Sequence, residues 1–167
     1  GVSVDITENN IIVGATGVSI DGSSNAGTAY IFHRNGDGTW GNVVSGQTYR
    51  NETHILTAGN YTTEGAKFGK SVSIDGNWAL VGAPKESYGS TNTRGAGYMF
   101  QYDGSSWSLY TRIEGDMGTA FEFGTDVAIS NNTCVISGWQ AQEGAARVYK
   151  FNNTITSWVF QTEIKNN

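Results

Sequence analysis

The chain has 167 residues, 38% hydrophobic and only 15% charged, with 23 glycines, one proline and 12% aromatics. Many glycines with few charges and no long apolar window at helical spacing predict short strands joined by tight turns and almost no helix. A formal charge of -5 with ten scattered Lys and Arg argues against nucleic acid or an anionic membrane as partner, and no apolar run reaches the length of a membrane-spanning helix.

In chain order, one pattern occurs three times. Gly1 opens GVSVDITENNIIVGA, Gly69 opens GKSVSIDGNWALVGA, and Gly124 opens GTDVAISNNTCVISG. In each copy the first Gly lies thirteen positions before a small residue: Gly14, Gly82 or Ser137. Val2, Val4 and Ile6, like Val72 and Ile74 and like Val127 and Ile129, alternate with polar residues and predict a half-buried strand. The turns Asn9-Asn10, Gly76-Asn77 and Asn131-Asn132 suit a tight hairpin. The second strand is apolar throughout and is expected to be buried on both faces. A third strand begins at GTAYIFHR, GAGYMFQY and GAARVYKF, and a Trp opens the predicted fourth strand each time: Trp40, Trp107 and Trp158. Residues Gly1 to Ile6 read as a strand and not as a signal peptide.

Four strands per unit of about 50 residues is propeller-blade spacing. The predicted modules are 1–67, 68–122 and 123–167, the first with an insertion near 44–54 that reads as an exposed loop or an extended fourth strand. Trp40, Trp107, Trp158, Phe68 and Phe123 are expected to wedge between sheets. The small pairs after strand two, Gly14-Ala15, Gly82-Ala83 and Ser137-Gly138, are expected to let backbones crowd together.

These residues resemble the FG-GAP repeat, the blade unit of integrin-type β-propellers. Phe68-Gly69 and Gly82-Ala83-Pro84 match both elements of its name; Phe123-Gly124 keeps the first, and Ser137-Gly138-Trp139 has lost the second. The resemblance implies an all-β fold of three four-stranded antiparallel blades, open or completed by another chain or by missing blades. A three-repeat β-trefoil is the weaker alternative. The family's calcium loop is not expected here, because the matching turns supply one carboxylate at most, Asp75, against the six to eight oxygens calcium wants. The branch with a closing Trp implies an extracellular or cell-surface protein.

A search for chemistry finds no catalytic or metal constellation and no cofactor motif. His33, His54 and Cys134 lie in no metal-ligand spacing, and Cys134 reads as a small buried hydrophobe. Asp21, Ser23 and Asn25 imitate the start of a calcium loop without a later acidic ligand and read as a polar turn. Glu114, Asp116 and Glu122 cluster between modules and read as a solvated loop, leaving a hydrolase as a distant third choice. Tyr49, Tyr61, Tyr88 and Trp139 fall outside the repeat pattern, and Tyr88 and Trp139 are the candidate ligand contacts, for sugar stacking. Asn51, Asn60, Asn131 and Asn152 stand in glycosylation sequons; four is no excess in a chain this rich in Asn, Ser and Thr.

Three blades leave two bare end faces, and large apolar faces rarely stay uncovered. The expectation is therefore a non-enzymatic extracellular structural or adhesive protein. Its expected partners are other copies of itself, as ring or filament, or the missing blades of a longer chain. The alternative is a lectin-like propeller that binds glycans.

Overall fold

The computed structural model describes residues 1–88, 92–115, 122–140 and 143–165, apart from the side chains of Tyr88, Asn92, Gln140 and Glu143. Strands β1 (Ser3–Ile6), β2 (Asn10–Ala15) and β3 (Thr28–His33) run antiparallel in order. A two-stranded ribbon follows, β4 (Asn42–Val43) with β5 (Arg50–Asn51), before β6 (His54–Leu56) completes the first sheet against β3. The second sheet comprises β7 (Ser71–Asp75), β8 (Trp78–Ala83), β11 (Ala96–Tyr102) and β12 (Trp107–Glu114), with the short ribbon β9 (Ser87–Tyr88) and β10 (Asn92–Thr93) between β8 and β11. The third is β13 (Val127–Ser130), β14 (Thr133–Gln140), β15 (Glu143–Asn152) and β16 (Ser157–Lys165). The described residues are thus all-β: three antiparallel four-stranded sheets and two ribbons, with one three-residue 3-10 turn at Gly59–Tyr61.

The sheets stack face to face, so each has a leading face, toward lower residue numbers, and a trailing face. Period-two alternation assigns the residues. In β1, Ser3 and Asp5 face the second sheet, where Ser3 Oγ donates to Gly69 O at 2.9 Å and Asp5 accepts from Ser73 Oγ at 2.9 Å and Ile74 N at 2.8 Å. In β7, Val72 and Ile74 point back to the first sheet, while Ser71 and Ser73 point on to the third. One core cluster fills each junction. The first joins Ile12, Ile31, Leu56 and Phe68 to Val72, Val81, Tyr98 and Phe100. The second joins Trp78, Leu80 and Met99 to Val127, Ile129, Cys134 and Ile136. Burial pushes the Cys134 thiol up to about 12, so it stays a protonated core side chain.

The Phe-Gly links set the spacing of the stack. Phe68 pairs in parallel with Gly27 and Phe123 with Gly95, so each link rides on the third strand of the module before it. Both rings are fully buried, which makes each worth about 3–5 kcal/mol against truncation to Ala. The glycine that follows brings its carbonyl against the preceding module's second strand: a Cβ on Gly14 would lie 1.9 Å from Gly69 O, and one on Gly82 2.0 Å from Gly124 O. Gly69 and Gly124 themselves hold φ of +84° and +93°, a region that favours glycine.

Two expectations are corrected. Trp40 does not open the fourth strand of the first module; it makes an isolated bridge to Arg34, whose guanidinium lies 5.9 Å from the indole centre, and β6 begins only at His54. The insertion around 44–54 carries an exposed loop over residues 45–49, closed at its base by the two-residue strands of the β4–β5 ribbon, and is not an extension of the fourth strand. Gly41, at φ +70°, makes the bend, and a Cβ there would lie 2.4 Å from Asn51 O. Burial of the second strand on both faces holds for β8, whose six residues are all buried, but not for β2, where Ile11, Val13 and Ala15 are half-buried, nor for β14, where Cys134, Ile136 and Gly138 are buried while Val135 and Ser137 are half-buried and Trp139 is exposed.

The close glycine contact predicts a sharp contrast. Gly82→Ala should lose about 3 kcal/mol or more, since the clash is with backbone, whereas Gly17→Ala, with open space around it, should stay within about 0.5 kcal/mol of the parent. Chemical denaturation of both variants measures this; equal stabilities would refute the contact.

Candidate functional site

The strongest electrostatic feature is buried between the first two sheets. Glu86 follows the Gly-Ala-Pro turn and is 2% exposed. Its carboxylate accepts from Tyr98 Oη and from Arg112, whose Nε lies 2.7 Å from Glu86 Oε1. Arg112 also pairs with Glu114, and its guanidinium stacks 4.7 Å from the ring centre of Tyr61. Burial raises the Glu86 carboxyl above the ordinary carboxylate range, and the hydrogen bond from Tyr98 and the Arg112 charge draw it partly back. Burial and the Glu86 charge likewise raise the Tyr98 hydroxyl, which therefore stays protonated and donates. Tyr98 ties the cluster to β11, Arg112 ties it to β12, and Tyr61 closes it from the first module. Among the described residues Glu86, Tyr98, Arg112 and Glu114 bond to one another, which is the chemistry of a fastener.

The end faces are different. On the leading face of the first sheet, cross-strand register brings Val4 beside Val13, Tyr30 and Ile55, and Ile6 beside Ile11 and Phe32. Val2, Val4, Ile6 and Ile55 are 56%, 71%, 62% and 55% exposed. On the trailing face of the third sheet, Trp139 is 56% exposed at the rim of a shallow cleft of about 590 Å³, with Ser137, Gly144, Ala146, Ile164 and Lys165 around it.

The other residues singled out by sequence fall as follows. Trp107 packs on the first core cluster and Trp158 within the second; Trp40 is half-buried and in neither cluster among the described residues. The Tyr88 side chain and Asp116 lie outside the described residues. Glu114 and Glu122 are not brought together as an acid–base pair, for Glu114 is held by Arg112 and Glu122 by Lys85. His33 bonds the Asn10 side chain at 3.0 Å, and His54 reaches Ser105 O at 3.3 Å. Asp21 and Asn25 sit at positive φ in a turn, and no group of three or more His, Cys, Asp or Glu suited to a metal occurs among the described residues. Asn51, Asn60, Asn131 and Asn152 are all exposed. No helix among the described residues is long and apolar enough to cross a membrane. Sequence reading passed over Glu86 and Arg112, which lie 26 positions apart; the one available signal was a Glu and an Arg near the ends of strand-flanking segments in a chain with few charges.

Comparison with known proteins adds one finding. The profile of the FG-GAP repeat matches residues 51–100. The matched stretch starts at the return of the ribbon and ends in β11, so the repeat straddles the junction between the first two sheets and includes both Phe68-Gly69 and Gly82-Ala83-Pro84. No curated protein matches the chain.

The buried cluster makes a testable claim. Arg112→Met leaves the Glu86 carboxylate without its cation and should cost about 3–5 kcal/mol at neutral pH. With Glu86 raised in the fold, stability is fully present below the unfolded pKa of about 4.3 and is lost as pH rises through the folded value. The Arg112→Met deficit should therefore shrink as pH falls through the raised folded value and be smallest at about pH 4 and below. Urea midpoints at pH 3.5 and pH 7 decide it: a deficit equal at both would show that packing, and not charge, holds the cluster.

Proposed function

With residues 51–100 an FG-GAP repeat, we propose that the chain is a non-enzymatic β-propeller-type repeat protein of the extracellular space or cell surface. Its three sheets are blades open at both ends, and it acts as a structural or adhesive module by associating through an end face with other copies of itself or with further blades. The observation that carries this reading is the leading face of the first sheet. Its residues have the same character as those that the second and third sheets bury: Val72 and Ile74 are 7% and 3% exposed, whereas Val4 and Ile6 in the same register are 71% and 62% exposed. An apolar face of this kind favours cover. The FG-GAP repeat supports an extracellular setting. The non-enzymatic reading is supported, among the described residues, by the ion pairs that take up Glu86, Glu114 and Glu122.

A second reading, glycan binding, is favoured by one observation, the exposed Trp139 beside an open cleft on the third sheet. An indole face of that kind suits a sugar ring.

Beads coated with the chain should cluster with one another, and beads coated with Val4→Glu should stay dispersed. Wild-type beads that never cluster would end the adhesive reading. On a glycan array, a signal abolished by Trp139→Ala would instead favour the second.

A further inference from the structure

The basic residues are scattered in sequence, but the fold gathers three of the chain's five lysines around one small cavity. Lys67 and Lys70 flank Phe68-Gly69, and Lys85 follows Gly82-Ala83-Pro84. The cavity holds about 250 Å³ and sits where the two junctions meet. Its wall takes Thr16 from the first module, Pro84 from the second and Thr125 from the link into the third. It does not depend on either end face.

Backbone bonds fix the origins of the three lysine side chains. Lys70 N donates to Lys67 O at 3.0 Å, and Lys85 N donates to Ala66 O at 3.1 Å. Like charges held together in this way repel one another. The chain has fifteen Asp and Glu, yet among the described residues Glu122 alone brings a carboxylate to this cavity. Glu122 pairs with Lys85. Lys67 and Lys70 make no ion pair with any described residue. Lys67 also holds φ +60°, and Glu122, at the same place before the other Phe-Gly, holds φ +41°. A glycine would satisfy that backbone at lower cost; the lysine adds an ammonium group to it.

We propose that this cavity binds a small doubly charged oxyanion, a sulfate or phosphate group, between Lys67 and Lys70 with Lys85 at its rim. A lysine ammonium is a compact point charge suited to such a group. Two ammonium groups without a carboxylate partner balance its two negative charges. Thr16 brings a hydroxyl to the same wall, whereas the Thr125 hydroxyl is spent on Glu122 O at 2.6 Å. The volume lies below the roughly 300–1,000 Å³ of ordinary small-molecule pockets, which favours one anionic group over a large ligand. The net charge of -5 points the same way, because an acidic surface repels a long polyanion. The group can arrive as a free ion or as an ester on a sugar.

NMR titration of the chain at constant ionic strength tests this, with inorganic sulfate, inorganic phosphate, galactose 6-sulfate and galactose 6-phosphate as probes. At least one probe should saturate a single site that shifts the signals of Lys67, Lys70 and Lys85. Tighter binding of the esters assigns the site to a sugar-borne group, and tighter binding of the inorganic ions assigns it to the free ion. Lys70 is exposed, so Lys70→Gln challenges the fold little; it should weaken binding at least about tenfold. Lys67→Gly should weaken it as much while the melting temperature without anion does not fall, because glycine accepts the positive φ. Glu122→Gln should tighten binding by removing the one opposing carboxylate. Lys150→Gln, on the third sheet, should leave it unchanged. No saturation with any probe, or an affinity indifferent to both Lys70→Gln and Lys67→Gly, overturns the inference. A loss in Lys150→Gln equal to that in Lys70→Gln overturns it too, since it would show attraction by overall charge and no site.

Discussion

Backbone against backbone at Gly14–Gly69 and Gly82–Gly124 is the contact on which the stacking depends. Two sheets whose apolar side chains interdigitate normally stand about 10 Å apart. Here one edge of each pair closes much further, until no room remains for a methyl group on the second strand. The glycines therefore fix where the sheets converge, and the fully buried Phe68 and Phe123 fill the space where they diverge. The serine bonds from Ser3 and Ser71 satisfy the carbonyls that this approach would otherwise bury without a partner. Close approach, wedge and polar satisfaction are one device, and loss of the glycine disables the other two.

Much of this was legible in the sequence because the signals are local or strictly periodic. Val72 and Ile74 alternate with serine, Gly76-Asn77 makes the turn, and the thirteen-residue spacing from Gly69 to Gly82 returns the second strand to the first. The three sheets follow from that grammar. Trp40 misled because it occupies the place in the pattern that Trp107 and Trp158 occupy, yet the ribbon between β4 and β5 removes the following residues from the sheet and postpones the fourth strand to His54. An insertion displaces a strand without leaving a mark in the periodicity of what precedes it. The Glu86–Tyr98–Arg112 cluster was illegible for a different reason: its members come from a turn, a third strand and a fourth strand, and neither charge looks unusual until both are seen to be buried.

The third copy shows how the same letters change meaning with position. In sequence, Ser137 in place of glycine reads as decay of a motif. On the structure it lies on an outer face, beside Asp126 and Ala128, where the contact that glycine serves has no counterpart. Conversely, the first copy keeps Val4 and Ile6, with Val13 and Tyr30 beside them, in the register of buried residues although no sheet among the described residues covers that face. Apolar residues kept on a bare face and polar ones placed on the opposite end give the stack a direction.

The buried polar cluster adds order to that direction. Hydrophobic faces alone are poor at distinguishing one neighbour from another, since each sheet offers aliphatic side chains of similar size. Tyr98 has Arg147 as its counterpart in the third sheet, where the guanidinium pairs with Glu163 at 2.7 Å, and Tyr30 in the first, where Ile55 replaces the arginine. The faces that would be exchangeable by shape thus differ in where they bury charge. Placing the second sheet's face against the third sheet's position would remove Tyr61 from Arg112 and leave the cluster without its cover. A misordered stack then carries desolvated charge that the native order satisfies, a penalty of several kcal/mol per ion. Shape, through the glycines, sets how closely the sheets approach; charge, through Glu86 and Arg112, sets which sheets they are.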